Sequence, residues 1–221
     1  MPGIIGSDDR VLLDPTAWPW TALGRVNREG GGFCTGTLVA PDLVLTAGHC
    51  LYDRRSGRRL SPDRLHFVAG YRRGEFLAHS VARDIRQPVA YDVEAPADAG
   101  KLANDWALLV LERPMDIEPI GVRPVKGPAD AALLLAGYAQ DRPHLLSLHE
   151  GCAVQTRAAG LPLFTHTCDA ARGGSGAPLL VKTPDGFALV GLHVGVINAA
   201  SRPEGLAVHA PAFLPALEAR P

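Results

Sequence analysis

Three polar side chains stand next to short apolar runs of this sequence, and their types suit one kind of chemistry. His49 follows one such run, Asp105 precedes another, and Ser175 lies among glycines before a third. A serine hydroxyl becomes a strong nucleophile only when a neighbouring base accepts its proton. A histidine can be that base at neutral pH, and an aspartate can fix the tautomer of the histidine. The three residues therefore predict a nucleophile, a general base and an orienting carboxylate.

Glycines surround Ser175 in the segment Arg-Gly-Gly-Ser-Gly-Ala-Pro at 172–178. Glycine lets the backbone turn tightly and leaves amide N–H groups accessible. We expect the N–H groups of Gly173 and Ser175 to form an oxyanion hole, in which one donor is typically worth ~10²–10³ in rate. Each feature alone is usually structural. Their occurrence together, in the order His, Asp, Ser, favours the catalytic interpretation.

The composition is that of a globular chain with balanced charge. The 221 residues carry 22 basic and 23 acidic side chains, for a net charge of −1, and 47% are hydrophobic. This balance does not favour binding to nucleic acid or to an anionic membrane. No apolar run approaches the ~18 residues of a membrane helix. The first residues lack a signal-peptide pattern, so we expect either a cytoplasmic protein or a processed secreted form.

Short strands separated by turns are the main predicted elements, because 24 glycines and 19 prolines interrupt the chain. About a dozen apolar or alternating runs predict an all-β barrel or sandwich. These runs are 22–26, 33–39, 43–46, 65–69, 76–85, 106–111, 133–136, 145–154, 162–167, 178–181, 187–194 and 206–210. We expect one single domain over residues 1–221, built from two lobes. Its parts are an N-terminal barrel at 17–113, a linker at 114–125, a C-terminal barrel at 126–210 and a C-terminal helix at 211–219.

Three of these segments resemble the triad motifs of the chymotrypsin-like (trypsin-fold) serine peptidases. They are Thr-Ala-Gly-His-Cys at 46–50, Asn-Asp-Trp-Ala-Leu at 104–108 and Gly-Gly-Ser-Gly-Ala-Pro at 173–178. The resemblance covers nearly the whole chain. Within this family, residues 4–10, 17–20 and 34–53 are similar to the mature N-terminal region of bacterial glutamyl endopeptidase-like enzymes.

The resemblance implies a fold of two antiparallel six-stranded β-barrels with a short C-terminal helix and a triad in the cleft. It implies a serine endopeptidase that hydrolyses peptide or protein substrates through an acyl-enzyme. No cofactor is expected, and we expect a monomer that is secreted or periplasmic, with a cytoplasmic location as the alternative. The rival interpretation is a non-catalytic binding module on the same fold.

Four cysteines divide into one pair in each half of the chain, which is compatible with two disulfides in an oxidising compartment. The resemblance implies the pairs Cys34–Cys50 and Cys152–Cys168. The alternative is a zinc site that includes His49 or His166. The spacing contains no Cys-x-x-Cys or His-x-x-x-His element, so we expect no metal.

The resemblance places the specificity pocket at 169–172 and 192–195, with Asp169, Ala170, His193, Val194 and Gly195 as substrate-binding residues. Asp169 corresponds to the carboxylate with which trypsin-like enzymes bind Arg or Lys. His193 corresponds to the histidine with which glutamyl endopeptidases bind Glu, but Ala170 replaces a hydroxyl residue that helps in some of them. Asp169 and His193 can also pair and leave a neutral pocket. Preference for Glu, for Arg or Lys, and for small residues therefore all stay open.

Gly174 occupies the position at which many animal relatives have an aspartate that pairs with a freed N-terminal amine. That buried ion pair cannot form here. We therefore expect the loop before Ser175 to be ordered by its own packing and by Cys168.

Overall fold

The computed structural model describes residues 3–53, 55–124, 132–199 and 202–219. Within these ranges the chain forms fourteen strands and two short α-helices. The first seven strands are β1 Val11–Leu13, β2 Leu23–Arg28, β3 Phe33–Ala40, β4 Leu43–Thr46, β5 Leu65–Ala69, β6 Ala78–Arg86 and β7 Ala107–Leu111. The other seven are β8 Leu133–Ala139, β9 Arg142–Cys152, β10 Val154–Arg157, β11 Leu163–His166, β12 Pro178–Thr183, β13 Gly186–Ala199 and β14 Arg202–His209. The helices are α1 Ala99–Ala103 and α2 Leu214–Glu218.

Strands β2 to β7 close into a six-stranded antiparallel barrel in the order β2-β3-β4-β7-β6-β5, which we call the first barrel. Every residue of β4 and of β7 is buried. Apart from Thr46, both strands are apolar throughout, because one face fills the barrel and the other packs against the rest of the protein. The large side chains of Leu23, Leu45, Phe67 and Leu108 are fully buried in this core.

The remaining strands form an eight-stranded sheet in the order β1-β9-β8-β12-β13-β14-β11-β10, which we call the second lobe. The prediction of a mostly β fold with a C-terminal helix is confirmed. The described ladders close only the first barrel. The second lobe gains β1 from the N-terminal segment, and the single predicted run 145–154 becomes two strands, β9 and β10, which pair with different neighbours.

The expected boundary between linker and C-terminal barrel, at residues 125 and 126, lies outside the described residues. Within the described ranges, α1 and α2 have five residues each, and none of the helices could span a membrane.

Both predicted disulfides are confirmed. Cys34 is bonded to Cys50 and joins β3 to the helical turn that contains His49. Cys152 is bonded to Cys168 and packs among buried side chains of the second lobe. Each bridge closes a loop with a sequence separation of 16 residues. Disulfides are typical of proteins in oxidising compartments.

We expect the Cys152→Ser/Cys168→Ser double variant to unfold more readily than the native chain. A bridge across a loop of this length contributes about 3 kcal/mol to the free energy of unfolding, mainly by restricting the unfolded chain. Guanidinium denaturation followed by fluorescence measures the loss. The Cys34→Ser/Cys50→Ser variant is the matched comparison, because its loop has the same length and a similar loss is expected. A loss below about 1 kcal/mol in the first variant contradicts this expectation.

Candidate active site

The pairing of β4 with β7 brings His49 and Asp105 together. In this antiparallel ladder the last residue of β4, Thr46, lies opposite the first residue of β7, Ala107. His49 follows β4 by one short turn, and Asp105 lies just before β7. The two residues therefore emerge at the same edge of the first barrel.

Two hydrogen bonds fix the relative geometry of this pair. The Nδ1 atom of His49 lies 2.8 Å from Oδ2 of Asp105, and the backbone N–H of His49 donates to Oδ1 at 2.8 Å. The Asp105 side chain is 6% exposed, whereas that of His49 is 29% exposed. The buried carboxylate thus holds the imidazole with Nδ1 inward, which leaves Nε2 as the nitrogen that can accept a proton.

Small and aromatic neighbours enclose the Asp105 carboxylate. A Cβ atom on Gly48 would lie 3.1 Å from Oδ1 of Asp105 and 2.7 Å from Nε2 of Gln87, so a larger residue there would crowd the carboxylate. Tyr91 is buried, and its ring lies 6.0 Å from that of Tyr52. The pKa of the Tyr91 phenol is raised, mainly by burial and then by the neighbouring Asp105 carboxylate. Tyr91 therefore stays protonated beside the carboxylate.

The segment around Ser175 is hydrogen-bonded to both halves of the molecule. The N–H of Thr35, on β3, donates to the carbonyl of Ser175 at 2.9 Å, and the N–H of Gly176 donates to the carbonyl of His193 at 2.8 Å. Gly176 has a φ of +83°, and a Cβ there would lie 2.2 Å from the Thr35 carbonyl and 2.5 Å from Oγ1 of Thr46. Ser175 is thereby held against the end of β4, close to the turn that carries His49.

The backbone before Ser175 leaves two N–H groups unused. Gly173 has a φ of +97°, and its carbonyl accepts a hydrogen bond from the Thr35 hydroxyl at 3.0 Å. Among the residues that the structure describes, the N–H groups of Gly173 and Ser175 donate to no protein acceptor, and the Ser175 hydroxyl has no hydrogen-bond partner. These groups are available to a ligand, as an oxyanion hole and a nucleophile require.

A cavity of about 380 Å³ opens beside Ser175. It is lined by Gly3, Ile4, Ala170, Ala171, Arg172, Ser175, His193, Gly195, Val196, Asn198 and Pro203. Of the five expected substrate-binding residues, Ala170, His193 and Gly195 line it. Val194 does not, because its side chain is buried in the hydrophobic core.

Asp169 does not line this cavity either. Its carboxylate accepts hydrogen bonds from the N–H groups of Ile5, at 2.6 Å, and of Asp9, at 3.0 Å, and its side chain is fully buried. Nδ1 of His149 lies 3.2 Å from the same carboxylate. Asp169 was expected to bind substrate in the pocket. The structure corrects this expectation, because the Asp169 oxygens already accept hydrogen bonds from the N-terminal segment. The alternative pairing with His193 is absent for the same reason.

The N-terminal segment 3–10 forms part of the cavity wall and supports the loop before Ser175. The carbonyl of Gly3 accepts a hydrogen bond from Ala170 N–H at 2.8 Å. At the other end of the segment, the buried Arg10 pairs with Asp8 at 2.9 Å and with Asp141 at 2.6 Å. The pairing with Arg10 lowers the pKa of Asp8 to about 2. The loop is thus held by an outside segment as well as by its own packing.

His193 pairs with His166 instead. Nδ1 of His193 lies 3.1 Å from Nε2 of His166, and Nδ1 of His166 accepts the N–H of Cys168 at 3.1 Å. His166 must therefore carry its proton on Nε2 and donate it to His193, so a neutral His193 carries its own proton on Nε2. The pKa of His193 is lowered to about 3, mainly by burial and then by the electrostatic effect of His49. Burial also lowers the pKa of His166 well below its usual range.

Two groups of metal-ligating residue types lie close together in the described part of the chain, and both are already engaged. Cys34 and Cys50, next to His49, are bonded to each other. Asp169 and His149, near Asp9, are hydrogen-bonded to the backbone.

Sequence reasoning missed several residues of the site. Gly3, Ile4, Asn198 and Pro203 line the cavity without belonging to any triad motif. The resemblance of residues 4–10 to a mature N-terminal region was the signal that could have drawn attention to the first two. No local signal marks Tyr91, which reaches Asp105 from an irregular loop.

Comparison with known proteins agrees with this geometry. Residues 34–192, well over half of the chain, match the family model described as trypsin-like peptidase domain. The chain is 46% identical over 55 residues to the glutamyl endopeptidase of Bacillus licheniformis, a match that covers 24% of this chain and 17% of that protein. It is 28% identical over 169 residues to serine protease 23 of Bos taurus, which covers 67% of this chain and 44% of that protein. The chain thus spans less than half the length of these curated relatives.

A solved structure of a Glu endopeptidase in complex with MPD superposes with a TM-score of 0.81. The superposition covers 98% of this chain and all of the other, at 21% sequence identity, and it shows that the two share the trypsin fold. Together with the family match over residues 34–192, this establishes that the chain belongs to the trypsin-like peptidase family.

Proposed function

We propose that this protein is a serine endopeptidase that cleaves peptide bonds through an acyl-enzyme, with a preference for Glu before the cleaved bond. The observation that carries the proposal is the fixed His49–Asp105 pair, with Nδ1 and Oδ2 2.8 Å apart, beside a serine whose hydroxyl is unpaired. Histidine, aspartate and serine in this arrangement activate a hydroxyl for attack on a carbonyl carbon. The rival binding module has no comparable support, because the three residues and the two free N–H groups are all present.

In the proposed reaction, the Ser175 hydroxyl attacks the carbonyl carbon of the substrate while Nε2 of His49 accepts its proton. Asp105 stabilises the imidazolium that forms and keeps it oriented. The N–H groups of Gly173 and Ser175 donate to the oxyanion of the tetrahedral intermediate. His49 then gives the proton to the leaving amine, and a water molecule, activated by the same histidine, releases the acid product from Ser175.

The contents of the cavity support an acidic preference over a basic one. A Lys or Arg side chain needs a free carboxylate, but the Asp169 oxygens are engaged by Ile5 and Asp9. His193 lines the cavity and, as a neutral imidazole, offers an Nε2–H donor to a carboxylate. The volume of about 380 Å³ also exceeds the needs of a small side chain.

A cleavage profile tests this proposal. A mixed peptide library is digested, the new termini are sequenced, and the Ser175→Ala protein provides the blank. We expect cuts after Glu that the blank does not make. Cuts after Arg or Lys would show that Asp169 becomes available in the complex and would overturn the acidic preference. Cuts after small residues alone would also overturn it, and an absence of cuts would favour the binding module.

We further propose that the protein works outside the cytoplasm, in the periplasm or the medium, on peptide or protein substrates. Both disulfides support this location, since cytosolic reductants keep most thiols reduced. Mass spectrometry of the protein isolated from its native source, with and without reductant, tests it. Reduction of two native bridges adds the mass of about four hydrogens. An unchanged mass would favour the cytoplasmic alternative.

A further inference from the structure

Among the described residues that line the cavity beside Ser175, one carries a fixed charge. Of the eleven side chains that line it, ten are apolar, small, amide, hydroxyl or imidazole groups, and Arg172 alone is a permanent cation. No Asp or Glu is among these lining residues. Glu204 follows Pro203 on β14 but does not line the cavity.

His193 does not supply a second cation in the free protein. It is 2% exposed, and it accepts a hydrogen bond from the equally buried His166, so its surroundings favour the neutral ring. The buried carboxylate of Asp169 directly precedes the lining residue Ala170. Its negative charge disfavours the binding of a second carboxylate in the cavity. A substrate carboxylate that entered this cavity with hydrogen bonds alone would pay a large desolvation cost.

The backbone of Arg172 is fixed while its side chain is free. Its carbonyl accepts the N–H of Gln140 at 2.6 Å, and Gly173 follows it directly in the loop before Ser175. The side chain is exposed and has no acidic partner within the described residues. A guanidinium without a partner can turn toward a ligand in the cavity and donate two parallel hydrogen bonds to a carboxylate.

We propose that Arg172 is the residue that selects an acidic side chain before the cleaved bond, by pairing with its carboxylate while His193 donates a hydrogen bond to it. Some glutamyl endopeptidases have a hydroxyl donor at the position of Ala170. Arg172 would provide the hydrogen bonds that this donor provides in them. The proposal rests on the proposed function and names the charge on which the acidic preference depends.

The test compares two peptides that differ only in Glu or Gln before the cleaved bond. For each protein the ratio of kcat/KM between the Glu and the Gln peptide is measured. We expect Arg172→Gln to lower this ratio about 10- to 100-fold, the worth of a charge-assisted hydrogen bond. We expect Arg172→Lys to keep part of the preference and Arg172→Glu to reverse it. Arg123→Gln is the matched control, since Arg123 is exposed, has no side-chain partner in the described chain and does not line the cavity.

The outcomes separate this proposal from the proposed function. A ratio that Arg172→Gln leaves unchanged overturns the proposal, and so does a wild-type protein that cleaves both peptides equally well. If the wild-type protein cleaves neither, the peptidase assignment fails, and the same two peptides are titrated into the Ser175→Ala protein by calorimetry. There, tighter binding of the Glu peptide that disappears in the Ser175→Ala/Arg172→Gln protein supports the role of Arg172. Equal affinities overturn it.

Discussion

Replacing Ser175 with Ala is expected to reduce kcat by a factor on the order of 10⁶ while the protein remains folded. The hydroxyl has no hydrogen-bond partner in the described structure, so its removal leaves no buried polar group unpaired. The two unused N–H groups at Gly173 and Ser175 remain in place, and only the nucleophile is lost. Steady-state hydrolysis of a Glu-containing peptide measures the change, and thermal unfolding checks the fold.

Ser61→Ala is the matched control for this variant, because Ser61 is an exposed serine in the segment before β5, outside the site. It should retain full activity. A fluorophosphonate probe, which labels activated serines, should modify the wild-type protein and the Ser61→Ala protein but not the Ser175→Ala protein. Undiminished turnover by the Ser175→Ala protein would rule out the acyl-enzyme mechanism.

Replacing Asp105 with Asn is expected to lower kcat about 10⁴-fold at neutral pH. The backbone N–H of His49 donates to Oδ1 of Asp105 at 2.8 Å, and in the variant it should keep the amide oxygen at that position. The NH₂ group of the new side chain then faces Nδ1 of His49 and donates to it. The proton of the neutral imidazole is forced onto Nε2, so this nitrogen cannot accept the proton of Ser175. The rate of acylation, measured in single-turnover experiments, reports the loss.

Asp92→Asn and Asp98→Asn are the controls for this variant, since both residues lie in the loop that leads to Asp105. Their carboxylates are exposed, and they accept backbone N–H groups of Glu94, at 2.9 Å, and Lys101, at 2.8 Å. Asp98 caps α1, and asparagine caps a helix about as well as aspartate, so its variant should keep both its stability and its activity. If Asp105→Asn keeps the wild-type rate and one of the loop variants does not, that loop residue is the third member of the triad.

Most strands could be predicted from the sequence, in two cases to the residue. The runs 43–46 and 65–69 coincide with β4 and β5, because buried apolar runs end where turn residues interrupt them. Strand β1 was missed, since it has three residues and its first two side chains are more than half exposed, which leaves no burial pattern to detect. Helix α1 was missed as well, because five residues behind a single capping aspartate are too short for a helical period.

In the site, too, features with a local sequence signal could be predicted, and features that depend on distant segments could not. The His49, Asp105 and Ser175 motifs, and the cysteine pairs that the resemblance implied, could be recognised in the sequence, since each motif is local and chemically distinctive. The hydrogen-bond partners of Asp169 and His193 became known from the fold alone. The Asp169 carboxylate accepts a hydrogen bond from the N–H of Ile5, 164 residues away, and His193 is hydrogen-bonded to His166 across the sheet. Hydrogen-bond partners and burial fix the charge of such groups, and both arise only when distant segments pack together.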